Sequence, residues 1–126
     1  MKKFLLLAGC VIVLMSFVVQ SGADAIVNAF KSADATQVSN YLDDLCDIKL
    51  LDKDEVKNVG KNQASITLKT FFAENGVKGF EKTSDRVLGA TMYLTGKLTG
   101  AGKTYNLTVM AKEKDGSPKI ISIRIN

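Results

Sequence analysis

From Ala90 to the C-terminus the chain alternates apolar and polar residues, in blocks separated by turn residues. Ala90, Met92, Leu94 and Leu98 share one side of the first block. Tyr105, Leu107, Val109 and Ala111 share one side of the second, and Ile121, Ile123 and Ile125 one side of the third. A period of two lines such residues along one face of a sheet. Gly100-Ala101-Gly102 and Asp115-Gly116 supply the turns between blocks. An apolar sheet face must be buried against a second layer, and the first half of the chain has to provide it.

It does so with helical spacing. Ala64, Leu68, Phe71 and Phe72 fall on one broad helical face; Asn62 is the expected N-cap and Asn75-Gly76 the stop. Ile26, Val27 and Phe30 form a shorter helical face, ended at Ser32-Ala33-Asp34. Asp34 is the expected N-cap of a second short helix carrying Val38, Tyr41, Leu42 and Leu45. Cys46 to Leu51 reads as a strand. Residues 52–61 are polar and are compatible with either a loop or a loose hairpin. Gly79 to Val87 reads as a further strand. The order is helix, helix, strand, helix, then four strands: an α+β fold with helices on one face of a mostly antiparallel sheet.

The N-terminus precedes this domain with a different kind of segment. Lys2 and Lys3 are followed by an apolar run from Phe4 to Val19 and then by Gln20-Ser21-Gly22-Ala23-Asp24-Ala25. Positive, apolar, small is the layout of a signal peptide, and the run is shorter than the about 20 residues a spanning helix uses. Cleavage is expected after Ala23, with Ala25 as the other candidate. This gives a signal over residues 1–23, a single domain over 24–126, a periplasmic or secreted location, and no stable membrane anchor. Leu7-Ala8-Gly9-Cys10 matches a lipobox as a string, but the apolar run continues beyond Cys10. Lipidation at Cys10 is therefore the minority reading.

Composition then excludes chemistry. The chain has no His, which removes His-based acid–base catalysis, Ser-His-Asp catalysis and His-ligated metal sites. Of its 17 basic residues two leave with the signal, which lowers the net charge from +4 to +2. The lysines are spread evenly among acids, with no stripe of the kind that binds nucleic acid. With Cys10 removed, Cys46 has no disulfide partner and is expected to pack as a small hydrophobe. Asp43, Asp44 and Asp47, and then Asp52, Asp54 and Glu55, lack the glycine and spacing of a calcium loop and read as solvated turns. Gly89, Gly96, Gly100 and Gly102 precede no helix, so they form no phosphate loop. Asn106-Leu107-Thr108 is a sequon by chance. No cofactor or metal is expected.

The stretch from Ile26 to Asp34, followed by Val38-Ser39-Asn40-Tyr41-Leu42-Asp43-Asp44, resembles the opening of nuclear-transport-factor-two-like domains. Those begin with a helix, a small-Asp break, and a second helix ending in an acidic pair. The closing hairpin, Tyr105 to Lys114 and Lys119 to Ile125 across Asp115-Gly116, resembles the last two strands of that superfamily. More narrowly, the chain is similar to a family of small secreted bacterial proteins of unknown function with this cystatin-like fold. The phrase Leu50-Leu51-Asp52-Lys53-Asp54-Glu55-Val56 and the helix bearing Leu68, Phe71 and Phe72 carry that similarity.

The resemblance implies a cone with a pocket between a curved sheet and the long helix, its candidate wall formed by Tyr41, Leu68, Phe72 and Tyr105. Enzymatic members place Asp with His, or Tyr with Asp, in that pocket. The expected function is a non-catalytic binding or interaction domain of the cell envelope. Its partner would be a small apolar ligand, a protein, or a second copy forming a homodimer through the sheet; nucleic acid is excluded. The alternative is an enzyme of unrecognised type using Asp85 or Asp47 with a tyrosine.

Overall fold

The alternating blocks fold into the strands they predict. The computed structural model describes residues 21–126; the expected signal and its Cys10 fall, up to residue 20, outside the described residues. In chain order the elements are α1 (Ser21–Lys31), α2 (Ala35–Ser39), β1 (Leu42–Leu50), β2 (Val56–Gly60) and α3 (Lys61–Glu74), then β3 (Val77–Leu88), β4 (Thr91–Gly100), β5 (Lys103–Lys114) and β6 (Ser117–Ile125). Helix α1 spans both candidate cleavage points, Ala23 and Ala25. No helix among the described residues is long and apolar enough to cross a membrane.

The six strands form one sheet in the order β2-β1-β6-β5-β4-β3. Every pairing is antiparallel except β1 with β6, which is parallel. The three helices cover one face. Leu94, Leu98, Leu107, Val109, Ile123 and Ile125 are fully buried on the sheet side, against Ile26, Phe30, Val38, Ala64 and Leu68 from the helices. The fold is α+β, as the element order predicts.

Three local expectations are corrected. The second helix ends at Ser39, and Tyr41, Leu42 and Leu45 are not on it. Asp34 does cap it, its carboxylate accepting from the Thr36 amide at 2.9 Å. Beyond Asn40 the Ile120 amide donates to the Tyr41 carbonyl at 2.7 Å. That bond draws the chain into β1 beside β6. Leu42 is then buried as a strand residue, while Leu45 turns to solvent at 54% exposure. The acidic pair Asp43-Asp44 accordingly sits in β1 rather than at a helix end. Long-range pairing here overrides a helical spacing.

The second correction is to the last strand. Met110 faces Ser122 but Ala111 faces Ile120, so β6 carries a bulge at Ile121. The inserted residue shifts the alternation, and Ile120 rather than Ile121 joins Ile123 and Ile125 in the core. Third, α3 begins one residue before Asn62. Gly60 stands at its N-cap in extended conformation, without a side-chain cap. The helix does stop at Asn75-Gly76, where Gly76 adopts φ +58, a left-handed turn that a glycine makes without strain.

Candidate functional site

The polar segment that the sequence leaves open between loop and hairpin is a hairpin, and it frames the candidate site. Strand β2 pairs with β1 through Cys46–Val59 and Ile48–Val56, with an irregularity between them. The extra residue falls near Asn58, at φ 55. Its amide is held by the Asp47 carboxylate at 2.9 Å. A bulge bends and twists the strand that carries it. Lys49 fixes the loop from the other side, its ammonium donating to the Leu51 carbonyl at 2.6 Å and the Lys53 carbonyl at 3.1 Å.

Between this hairpin and α3 lies a half-open cleft of about 270 Å³. Its walls are Ile48 and Leu50 of β1, Val56 and Val59 of β2, and Gln63 and Thr67 of α3, with Lys53 and Asp54 from the connecting loop. Four aliphatic side chains thus meet four polar ones. The Thr67 hydroxyl is spent locally, donating to the Gln63 carbonyl at 2.9 Å. The volume lies just below the range of about 300–1,000 Å³ typical of small-ligand pockets. The chemistry on offer is burial of a small apolar body with a polar or charged group at the rim.

The four wall residues named from the sequence do not line this cleft. Leu68, Phe72 and Tyr105 are buried core, and Tyr41 packs half-buried against it. Aromatic side chains meet between the helices and the sheet. Phe71 meets Tyr105 edge-on at 5.7 Å between ring centroids, and Phe30 meets Phe80 at 5.6 Å. The Tyr105 hydroxyl is satisfied by Asn75 Oδ1 at 3.1 Å, as a buried phenol requires. The cleft lies instead at the margin, where the short strand β2 leaves the sheet edge. Its sequence signal was present: Ile48 and Leu50 before a charged loop, then Val56 and Val59 after it.

The carboxylates named as alternative acids are engaged elsewhere. Asp85 pairs with Lys82 at 3.1 Å, and Asp47 holds the Asn58 amide. Among the described residues neither is hydrogen-bonded to a tyrosine. Asp85 pairs across β4 with Leu94 whereas Tyr93 pairs with Arg86, so Asp85 and Tyr93 lie on opposite sides of the sheet. The cleft itself contains the carboxylate of Asp54 and no tyrosine. No group of three or more His, Cys, Asp or Glu side chains converges as a metal site among the described residues. Asp43 is held below the usual carboxylate range, chiefly by its hydrogen bond from Lys114, which outweighs the opposing effect of burial. Cys46 is 1% exposed. Burial, followed by the nearby charges of Asp47 and Asp43, pushes its thiol up to about 12.

Comparison with known proteins identifies the fold. A DUF4783 protein from Bacteroides ovatus, known from its crystal structure, superposes with a TM-score of 0.74 at 23% identity, over 80% of this chain and 90% of that one. An uncharacterised cystatin-fold protein from Novosphingobium aromaticivorans gives a TM-score of 0.59 at 14% identity, over 84% of this chain and 95% of that one. An NTF2-like protein of unknown function from Cytophaga hutchinsonii gives 0.58 at 11% identity, over 82% and 84% of the two chains. No curated protein matches the chain. The helices packed on a six-stranded mixed sheet are thus the NTF2-like, cystatin-like fold. The domain of unknown function DUF4783 matches residues 23–126, and the chain belongs to that family.

Proposed function

We propose that this domain is a non-catalytic binding module of the cell envelope, and that it holds a small apolar ligand in the cleft between the β1–β2 hairpin and α3. One observation carries the proposal: Ile48, Leu50, Val56 and Val59 converge on an open space of about 270 Å³, while Phe71 with Tyr105 and Phe30 with Phe80 pack ring against ring in the core. Apolar walls with a few polar groups are the usual make-up of a small-molecule site. That Asp85 is paired with Lys82 and Asp47 holds the Asn58 amide supports binding over the alternative of carboxylate–tyrosine catalysis. The signal layout of the N-terminus supports the envelope location.

The test is a titration of the purified protein with the neutral fluorophore N-phenyl-1-naphthylamine, followed by competition with linear alcohols. Saturable binding at one site per chain, displaced more strongly as the alcohol lengthens, is expected. A signal that grows without saturation, or that short and long alcohols displace equally, would sink the proposal.

A further inference from the structure

The face of the sheet turned away from the helices gathers cations that the sequence scatters. Arg124 lies between buried Ile123 and Ile125, Lys97 between buried Gly96 and Leu98, and Lys112 follows buried Ala111, so all three point outward. Lys119 stands directly opposite Lys112 across the β5–β6 pair, and Arg86 directly opposite outward-facing Tyr93. Among the described residues Arg86, Lys97, Lys112 and Lys119 form no salt bridge. Most of the acids that share this face are engaged, and Glu81 offsets Lys97. Asp47 holds the Asn58 amide, Asp43 is paired with Lys114, Glu55 approaches Arg124 at 3.9 Å, and Glu81 sits opposite Lys97. Like charges directly opposite on neighbouring strands repel; the Asp43 carboxylate, bonded to Lys114, also attracts Lys119, so of this pair it is Lys112 that gains most from an incoming anion.

The centre of the face is neither charged nor deeply apolar. Tyr93 and Met110 face each other across β4 and β5, both half-buried. In the next register line Ser84, Thr95 and Thr108 carry hydroxyls over three strands; those of Ser84 and Thr95 bond each other at 2.7 Å, and each keeps capacity for one further partner. We infer that this outer face binds an acidic polysaccharide, its carboxylates or phosphates seated on Lys112, Lys119 and Arg86 and its sugar rings lying over Tyr93 and the hydroxyl row. Charge complementarity selects a polyanion. Tyr93 and Met110 are half-buried, and the exposed Leu45 of β1 and Leu88 of β3 are separated by three intervening strands, so no continuous apolar patch of the kind a membrane anchor inserts is formed. The backbones of β4 and β5 are paired on both sides, so an extended peptide cannot add to them as a strand. The same cations oppose a homodimer that stacks this face on its own copy.

Binding of polygalacturonate, with neutral dextran as control, tests the inference by affinity electrophoresis at low and physiological salt. The protein should be retarded by polygalacturonate and not by dextran, and less so at higher salt. The double variant Lys112→Gln/Lys119→Gln should weaken binding about tenfold or more. Lys61→Gln/Lys69→Gln, which removes the same charge from α3 on the other side of the sheet, should change it little. Tyr93→Ala should weaken it about fivefold, which a purely electrostatic contact would not show. Four results would overturn the inference: no retardation by polygalacturonate, equal losses in the two double variants, equal binding to polyglutamate that Tyr93→Ala leaves unchanged, or tighter binding to single-stranded DNA than to polygalacturonate. Each is independent of the cleft, whose naphthylamine titration reports on a different surface.

Discussion

The Phe80 ring closes over Gly96 so tightly that a Cβ on Gly96 would lie 2.4 Å from two of its ring carbons and 2.4 Å from the Glu81 carbonyl. Gly96 is therefore a packing residue of the β3–β4 pair and has no part in a ligand loop. Phe80 itself is pinned from behind by Phe30, and the carbonyl is backbone, so neither neighbour yields cheaply. Gly96→Ala should destabilise the protein by about 1–3 kcal/mol, the usual range for overpacking a filled interior. Urea unfolding should show a lower midpoint with an unchanged slope. Gly60→Ala, where a Cβ meets nothing within 4 Å, is the steric control; it should lose no more than about 1 kcal/mol, the cost of alanine at a helix N-cap.

Burial at Cys46 makes two measurable statements. At pH 8 a thiol whose value is pushed up to about 12 is ionised in about one molecule in ten thousand, and the thiolate is the reactive form. Labelling by a disulfide reagent should therefore be slow in native protein and complete within the unfolding time in denaturant. The pH dependence follows from the same shift. Between the ordinary thiol value and the raised one, the folded state keeps a proton that the unfolded state has lost. Stability from this group is therefore full at neutral pH and falls as pH rises through that window, at a limit of about 1.4 kcal/mol per pH unit. Cys46→Ala, less stable at pH 7 for lack of the sulfur, should show a flatter decline from pH 9 upward.

How far the sequence reaches is clear from which residues it misplaced. Period two in β4 and β5 and the 64–72 face of α3 were legible because each is set by local geometry against one core. Leu42 and Leu45 were not, because the bond from Ile120 to the Tyr41 carbonyl lies nearly eighty residues away in the chain. Ile121 was misplaced by one inserted residue, since a bulge changes the parity of a strand and leaves its composition alone. The cleft depends on how the β1–β2 hairpin bends around Asn58, which no local pattern of residues encodes. The cationic face was invisible for a related reason. Lys112, Lys119 and Arg86 are spread along the chain, and only the register of β3 through β6 brings them together.

Lys114 joins the end of β5 to the start of β1 through Asp43, across 71 residues of chain. The pair lowers the Asp43 value and raises that of Lys114 through the same hydrogen bond. A depressed carboxylate contributes stability above its unfolded value, and that contribution is lost as pH falls through the folded value. A raised ammonium contributes below its unfolded value and loses the contribution as pH rises through the folded one. The coupling is therefore complete at neutral pH and absent at both extremes. Lys114 is half exposed, so solvent and salt screen it and the effect is small. A double-mutant cycle with Asp43→Asn and Lys114→Gln should give measurable coupling at pH 7, less of it in high salt, and progressively less as pH falls through the lowered Asp43 value.

The filled core and the marginal cleft should respond oppositely to substitution, and this separates folding from binding. Leu68 is fully buried between α3 and the sheet. Leu68→Ala removes its contacts and leaves a cavity, at a cost of about 2–5 kcal/mol, yet it alters no cleft wall. Val56 lines the cleft but is 57% exposed, so Val56→Glu should shift stability by no more than about 0.5 kcal/mol. That carboxylate would stand among Ile48, Leu50 and Val59, where an apolar ligand offers it nothing in place of water. Naphthylamine affinity should therefore fall about tenfold or more in Val56→Glu and stay near the parent value in Leu68→Ala, measured at a temperature where both variants are folded by circular dichroism. The reverse pattern would place the binding space inside the cone, where the resemblance located it, with Leu68 as part of its wall.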